Sequence, residues 1–229
     1  MATRMSDALP GGLRYEPSPK WVRGWRGADL AVDSRRASLV WEPGHAVPAY
    51  AFPRADVRID LLGNDDLLAF DDPDLDGHVV VRWNAMDSWY EEDERIVGHP
   101  RDPFKRIDVR RSSRRVEVRL DDVVLAESRL ARLLFETHLP VRYYLPPEDV
   151  RRDLLVPSPT TSFCAYKGQA SYFSAELDGK LHRDVAWTYR DPLPDCPEVE
   201  GLVCFFNERT DVLVDGEPVG RPQTQWSAS

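Results

Sequence analysis

The chain has 229 residues, 42% of them hydrophobic, with 30 Lys and Arg against 39 Asp and Glu for a formal net charge of −9. A chain of this length and apolar content buries a sizeable core and is globular rather than disordered, while its acidic balance argues against nucleic acid as a partner, since duplex binding relies on clustered cations. No apolar run could span a bilayer and the N-terminal stretch has no apolar signal core, so the expected location is cytoplasmic with no membrane partner.

After an N-terminal extension over 1–20, the chain carries an internal repeat. "VRGWRGADLAVDSRRASLVWEPGHAVPAYAFPRADVRIDLL" from Val22 aligns with "VRLDDVVLAESRLARLLFETHLPVRYYLPPEDVRRDLL" from Val118. Asp33-Ser34-Arg35 falls on Glu127-Ser128-Arg129, Trp41-Glu42 on Phe135-Glu136, and Asp56-Val57 on Asp149-Val150. Further on, "LDGHVVVRW" from Leu75 resembles "LDGKLHRDVAW" from Leu177, and "RRVEVRLDD" from Arg114 resembles "ERTDVLVDGE" from Glu208. The expected domains are a first copy over 21–117, a second over 118–220 and a tail over 221–229.

Each copy reads as short strands. In the first, "DDPDLDG" (Asp71 to Gly77) has the opening of a calcium loop, but Trp83 stands where the bidentate Glu belongs, so it reads as an acidic surface turn. "VRRSSRRVEVR" (Val109 to Arg119) is the one basic cluster, most simply a turn with solvated arginines and otherwise a local cationic patch. "VRLDDVVLAES" predicts a hairpin with its turn at Asp121-Asp122. "ARLLFET", "VRYYL", "SFCAYKG", "ASYFSAEL", "DVAWTY" and "LVCFFNE" are rich in aromatic and β-branched residues and bounded by Pro, Gly or Asp. Nineteen prolines argue against long helices. "PPEDVRRDLL" (Pro146 to Leu155) and "PLPDCPEVE" are the expected helical turns.

The chemistry-bearing residues gather in the second copy. Cys164, Cys196 and Cys204 have no C-x-x-C spacing and the five histidines are scattered, so nothing local signals a zinc site, and the sequence leaves any cofactor unknown. Lys167-Gly168 lacks the upstream glycine of a phosphate loop. Lys167 is either an anion contact or a turn lysine, and Cys164 either a nucleophile or a buried small hydrophobe. Glu42 and Glu136 end matching apolar strands, as structural carboxylates or as acid-base groups. Tyr143, Tyr144, Tyr166, Tyr172, Trp187 and Tyr189 are core filler or the wall of a pocket.

The combined motifs E-S, E-T, Y-x-P-x-E-D-V, T-x-x-C-x-Y-K-G and W-x-Y of the second copy resemble the domain-of-unknown-function family numbered 427, with a weaker resemblance in the first copy, as in a tandem member. Ala165 departs from the family's usual proline after the cysteine. The resemblance implies a compact, mainly β fold of the tent-like kind, similar to the methionine sulfoxide reductase B group. The family also carries a nucleotidyltransferase-like label. This chain shows no Gly-Ser followed by a metal-binding acid pair, and Asp74-x-Asp76 lies in a turn of the first copy.

The resulting expectation is a small-molecule site, with anionic ligands among the candidates, in the second copy. Glu136, Cys164 and Lys167 would be its catalytic residues and Tyr144, Asp149, Tyr166, Trp187 and Tyr189 its ligand contacts. The alternative is a non-catalytic β-module for protein–protein interaction. The segment carrying Cys164 and Lys167 exists only in the second copy, because the first is shorter between its matching landmarks.

Overall fold

The computed structural model describes residues 12–45 and 47–227. It is mainly β: the described residues form twenty strands in four antiparallel sheets, with 3-10 turns of three residues between them. No helix is long and apolar enough to cross a membrane among the described residues. The chain divides into two compact units, Met1–Phe104 and Lys105–Ser229.

The first unit holds β1 (Arg14–Pro17), β2 (Val22–Arg26), β3 (Asp29–Ser34), β4 (Ser38–Trp41), β5 (Ala49–Pro53), β6 (Leu67–Leu68), β7 (His78–Val81), β8 (Ser88–Glu91) and β9 (Glu94–Ile96). They form sheets ordered β1-β4-β5-β7-β6 and β3-β2-β8-β9. The core lies around Val32, Tyr50, Phe52 and Trp89, all at most 2% exposed.

The second unit holds β10 (Ile107–Arg111), β11 (Val116–Leu120), β12 (Val123–Ser128), β13 (Arg132–Glu136), β14 (Arg142–Leu145), β15 (Leu155–Cys164), β16 (Gly168–Leu177), β17 (Lys180–Tyr189), β18 (Val203–Phe205), β19 (Asp211–Val214) and β20 (Glu217–Val219). Its sheets run β10-β13-β14-β18-β17-β16-β15 and β12-β11-β19-β20. Asp121 and Asp122 take φ of +47° and +64°, the paired left-handed turn that lets a right-twisted hairpin close. The expected helical turns are the 3-10 turns Pro147–Asp149, Arg152–Leu154 and Pro197–Val199.

The unit boundary differs from the 117/118 division read from the sequence. β10 pairs along β13, and β11 sits between β12 and β19, so residues 105–117 belong to the second unit. Residues 114–122 therefore lie wholly inside the second unit, after β10. The partner of β7 also differs. β7 pairs with β5 as β18 pairs with β14, so β18, and not the start of β17, is its counterpart. The long hairpin strands β15 to β17 stand where the first unit has only the two residues of β6.

Matching side-chain bonds recur in the two units. Ser34 Oγ donates to Asp56 at 2.8 Å and Ser128 Oγ to Asp149 at 2.6 Å, each serine also accepting a backbone N–H two residues on. Such a bond fixes the corner between a strand and the next 3-10 turn without a buried unpaired group.

Strand alternation splits the second unit's large sheet into two faces. Leu133, Tyr143 and Phe205 join Val116, Leu125 and Val212 in the core against the four-stranded sheet. Leu134, Tyr144 and Cys204 point the other way, into a second cluster with Trp187, Tyr189, Cys196 and Phe206. Each fully buried side chain of this kind contributes about 1.5–3 kcal/mol.

Candidate functional site

Directly paired residues of an antiparallel sheet point to the same face. The register Arg111↔Arg132↔Tyr144↔Cys204↔Trp187↔Tyr172 therefore lays one row of side chains across six strands. Tyr144 is 1% exposed, and the Trp187 indole N–H donates to its hydroxyl at 3.1 Å. Burial raises the Tyr144 phenol well above its ordinary value, so it stays protonated. Tyr189 is raised as well, by burial first and then by the neighbouring Cys164.

Glu136 and Lys167, far apart in sequence, meet on this face: Lys167 Nζ donates to Glu136 Oε2 at 2.6 Å and Lys105 Nζ lies 2.9 Å from Oε1. Strands β13 and β16 are four places apart, about 19 Å across a flat sheet. The sheet therefore curls, and the hairpin tip closes over its face. Burial raises the Glu136 carboxyl, but the charges of Lys167 and Lys105 outweigh it and hold the group below its ordinary range. Burial likewise lowers Lys167, and Glu136 reverses this to a net rise. Both groups stay ionised and spend their charge on each other.

The segment carrying Cys164 and Lys167 is a tight turn. Cys164 pairs with Gly168, and Ala165, Tyr166 and Lys167 form the bend, which brings Lys167 and Cys164 within electrostatic reach across what would otherwise be opposite strand faces. Gly168 has φ +90°, and a Cβ there would lie 3.4 Å from the Asp191 carbonyl oxygen. Gly168→Ala is accordingly expected to destabilise the second unit by more than about 1 kcal/mol, read from its urea midpoint. Tyr166 is buried, with Lys105 Nζ 5.8 Å from its ring centre. Cys196 and Cys204 are buried and their thiols are pushed up to about 12 by that burial, which keeps them protonated.

The remaining sequence candidates separate from this cluster. Asp149 sits at the Ser128 corner, and Glu42 of the first unit pairs with Arg82 Nη1 at 2.8 Å. The "DDPDLDG" stretch is a 3-10 turn, Pro73–Leu75, capped by Asp72. No group of three or more His, Cys, Asp or Glu residues that could hold a metal occurs among the described residues.

Two features went unread in the sequence. Arg142, on β14, makes a two-pronged bond to Glu208, both prongs 2.7 Å, with Asn207 and Thr224 completing the set. Its guanidinium lies 5.4 Å from the Trp187 and Trp226 ring centres and 5.8 Å from that of Phe206. The second feature is a cavity of about 610 Å³ bordered by Tyr172, Phe206, Trp226, Arg209, Asp184 and Thr160. Trp187 backs Phe206, ring centres 4.5 Å apart.

The polar corner of this cavity is built by a bulge. Pairing of β16 with β17 slips between Phe173 and Ala175, and Asp184 takes φ +50°. Bulges re-aim side chains and concentrate beside functional sites. Thr160 Oγ1 donates to Asp184 Oδ2 at 2.8 Å, and Arg209 donates to the Arg183 and Asp184 carbonyls while lying 4.2 Å from the Phe206 ring centre. Asp184 Oδ1 and Arg209 Nε, both buried atoms, have no hydrogen-bond partner within the described residues.

Residues 108–216 match the family model described as domain of unknown function (DUF427). The match lies within the second unit, and that unit is similar to this family. The DUF427 match runs from β10 to the turn after β19, so it takes in the curled sheet, the Glu136–Lys167 pair and most of the aromatic cavity. Trp226 of that cavity lies beyond the DUF427 match. No curated protein matches the chain.

Proposed function

We propose that the second unit binds a small planar molecule carrying an anionic group, in the cavity between Tyr172, Phe206 and Trp226. The observation that carries this reading is the combination of three aromatic walls with two unpartnered, buried polar atoms, Asp184 Oδ1 and Arg209 Nε, in a cavity of about 610 Å³. Small-molecule sites are mostly apolar concavities with a few convergent polar groups, and 300–1,000 Å³ is roughly their usual range. Arg209 supplies the cation for the anionic group, and Asp184 Oδ1 accepts from a donor on the ligand.

The long strands β15 to β17 have no equivalent of their length in the first unit, and they carry Thr160, Tyr172 and Asp184. That supports a site in the second unit alone. In this reading Glu136, Lys167 and Cys164 keep the sheet curled around the aromatic face, with no part in chemistry.

The test uses isothermal titration of the full chain with 2-naphthoate and with its neutral counterpart 2-naphthamide. Trp226→Ala is expected to weaken both at least about tenfold, matching the cost of losing an aromatic wall. Arg209→Met is expected to weaken the naphthoate selectively. If naphthoate fails to bind at millimolar concentration, or binds Trp226→Ala as well as the parent, the reading is wrong.

A further inference from the structure

The row of side chains that leads to the aromatic cavity begins, at its other end, with two arginines directly opposite each other. Arg111 on β10 and Arg132 on β13 are register partners, so both project to one face of the sheet. Like charges in that position destabilise a sheet. Several arginines of the same unit do meet carboxylates: Arg106 and Arg110 with Asp108, Arg115 with Glu127, Arg151 with Asp153, Arg142 with Glu208. Arg111, Arg129 and Arg132 have no ion pair or side-chain hydrogen bond among the described residues.

These three arginines border one cleft of about 670 Å³, together with Leu130, Leu202 and the single acid Glu148. The first unit shows the same register position without its two arginines. Its β1–β4 register pairs Pro17 with Ser38 where the second unit pairs Arg111 with Arg132. The fold therefore does not need arginines at this register pair.

We propose that this cleft is a binding site for a dianionic phosphomonoester, a small molecule with a terminal phosphate. Guanidinium groups match phosphate oxygens with paired hydrogen bonds, and two opposed guanidiniums with a third beside them suit a doubly charged group. Leu130 and Leu202 offer apolar surface to the organic part, and the volume exceeds that of phosphate alone. The chain's net charge of −9 disfavours a long polyanion and leaves a small one free to bind. None of these residues borders the aromatic cavity, so the two proposals stand or fall separately.

The experiment titrates the full chain with ribose 5-phosphate at low ionic strength, by calorimetry and by thermal shift. Arg111→Ser/Arg132→Ser installs small side chains resembling the first unit's pair and removes the like-charge repulsion, so it is expected to fold at least as well as the parent. It should lose binding at least tenfold, and Arg129→Ala, tested alone, should weaken binding as well. The parent's melting temperature should rise with ribose 5-phosphate and fall back as salt is added. Absence of binding by the parent at millimolar ribose 5-phosphate, or full binding by the double variant, overturns the site. Equal affinity for sulfate overturns the phosphomonoester class, and tighter binding of a single-stranded oligonucleotide overturns the commitment to a small molecule.

Discussion

Glu208→Gln is expected to destabilise the second unit by about 3–5 kcal/mol, because removing one member of a buried ion pair leaves the other charge uncompensated. The Glu208 side chain is 0% exposed and that of Arg142 7%, so water cannot replace the lost carboxylate. Burial alone would raise the Glu208 carboxyl; the bonds from Arg142 and Thr224 outweigh it and hold the group below its ordinary value. A loss of that size is a large share of a domain's total stability of roughly 5–15 kcal/mol. Urea unfolding followed by tryptophan fluorescence measures it, since Trp187 and Trp226 belong to the second unit. A shift under about 1 kcal/mol would show that Arg142 finds adequate partners in Asn207 and the aromatic rings. The double variant Arg142→Met/Glu208→Leu removes both charges and is expected to be closer to the parent than either single change.

The second large effect concerns Glu136 and pH. Its folded carboxyl lies below the ordinary glutamate value, so its contribution to stability is complete above that ordinary value. It is lost as pH falls through the lowered folded value. Lys167 is raised on folding, so its contribution is complete below the ordinary lysine value and disappears as pH rises through the raised one. The pair therefore stabilises most across the neutral range. Glu136→Gln should cost about 3 kcal/mol or more at pH 7, since it strands two lysine charges beside buried surface. Parent and variant stabilities should converge in acid, where the parent's carboxyl is protonated too. Unfolding midpoints measured from neutral to acid pH check this; two parallel curves would refute the assignment of Glu136 as the titrating group.

Local chemistry was legible wherever one stretch decides its own shape. Asp121-Asp122 can take positive φ with little strain, so the β11–β12 hairpin follows from sequence. Gly168 marks the end of the turn after Cys164, and Pro147 and Pro197 start 3-10 turns as a residue lacking an N–H should. The repeated serine–aspartate corner, Ser34–Asp56 and Ser128–Asp149, was visible as an alignment although its bond was not.

Pairing between distant strands was not legible. "RRVEVRLDD" and "ERTDVLVDGE" resemble each other because β11 and β19 are neighbours with the same alternation, and similarity alone assigned one of them to the wrong unit. That error hid Lys105, which lies outside the expected second copy yet shares the Glu136 carboxylate with Lys167. Tyr144, Trp187 and Tyr189 were singled out together, and the sheet does place them on one face, but as buried wall behind the cavity. Arg209, Asp184 and Trp226 carried no local signal, because a bulge and a returning C-terminal segment bring them together.

The sequence by itself determined a mainly β chain with short strands, tight Asp and Gly turns and a chemically richer second half. These follow from backbone sterics and side-chain alternation, which act within a few residues. Only the tertiary structure decided that the seven-stranded sheet curls, that Lys167 spends its charge on Glu136, and that Arg111 faces Arg132 without a carboxylate. Each of those facts depends on strand order and register, and register is settled by the packing of whole faces that no single stretch contains.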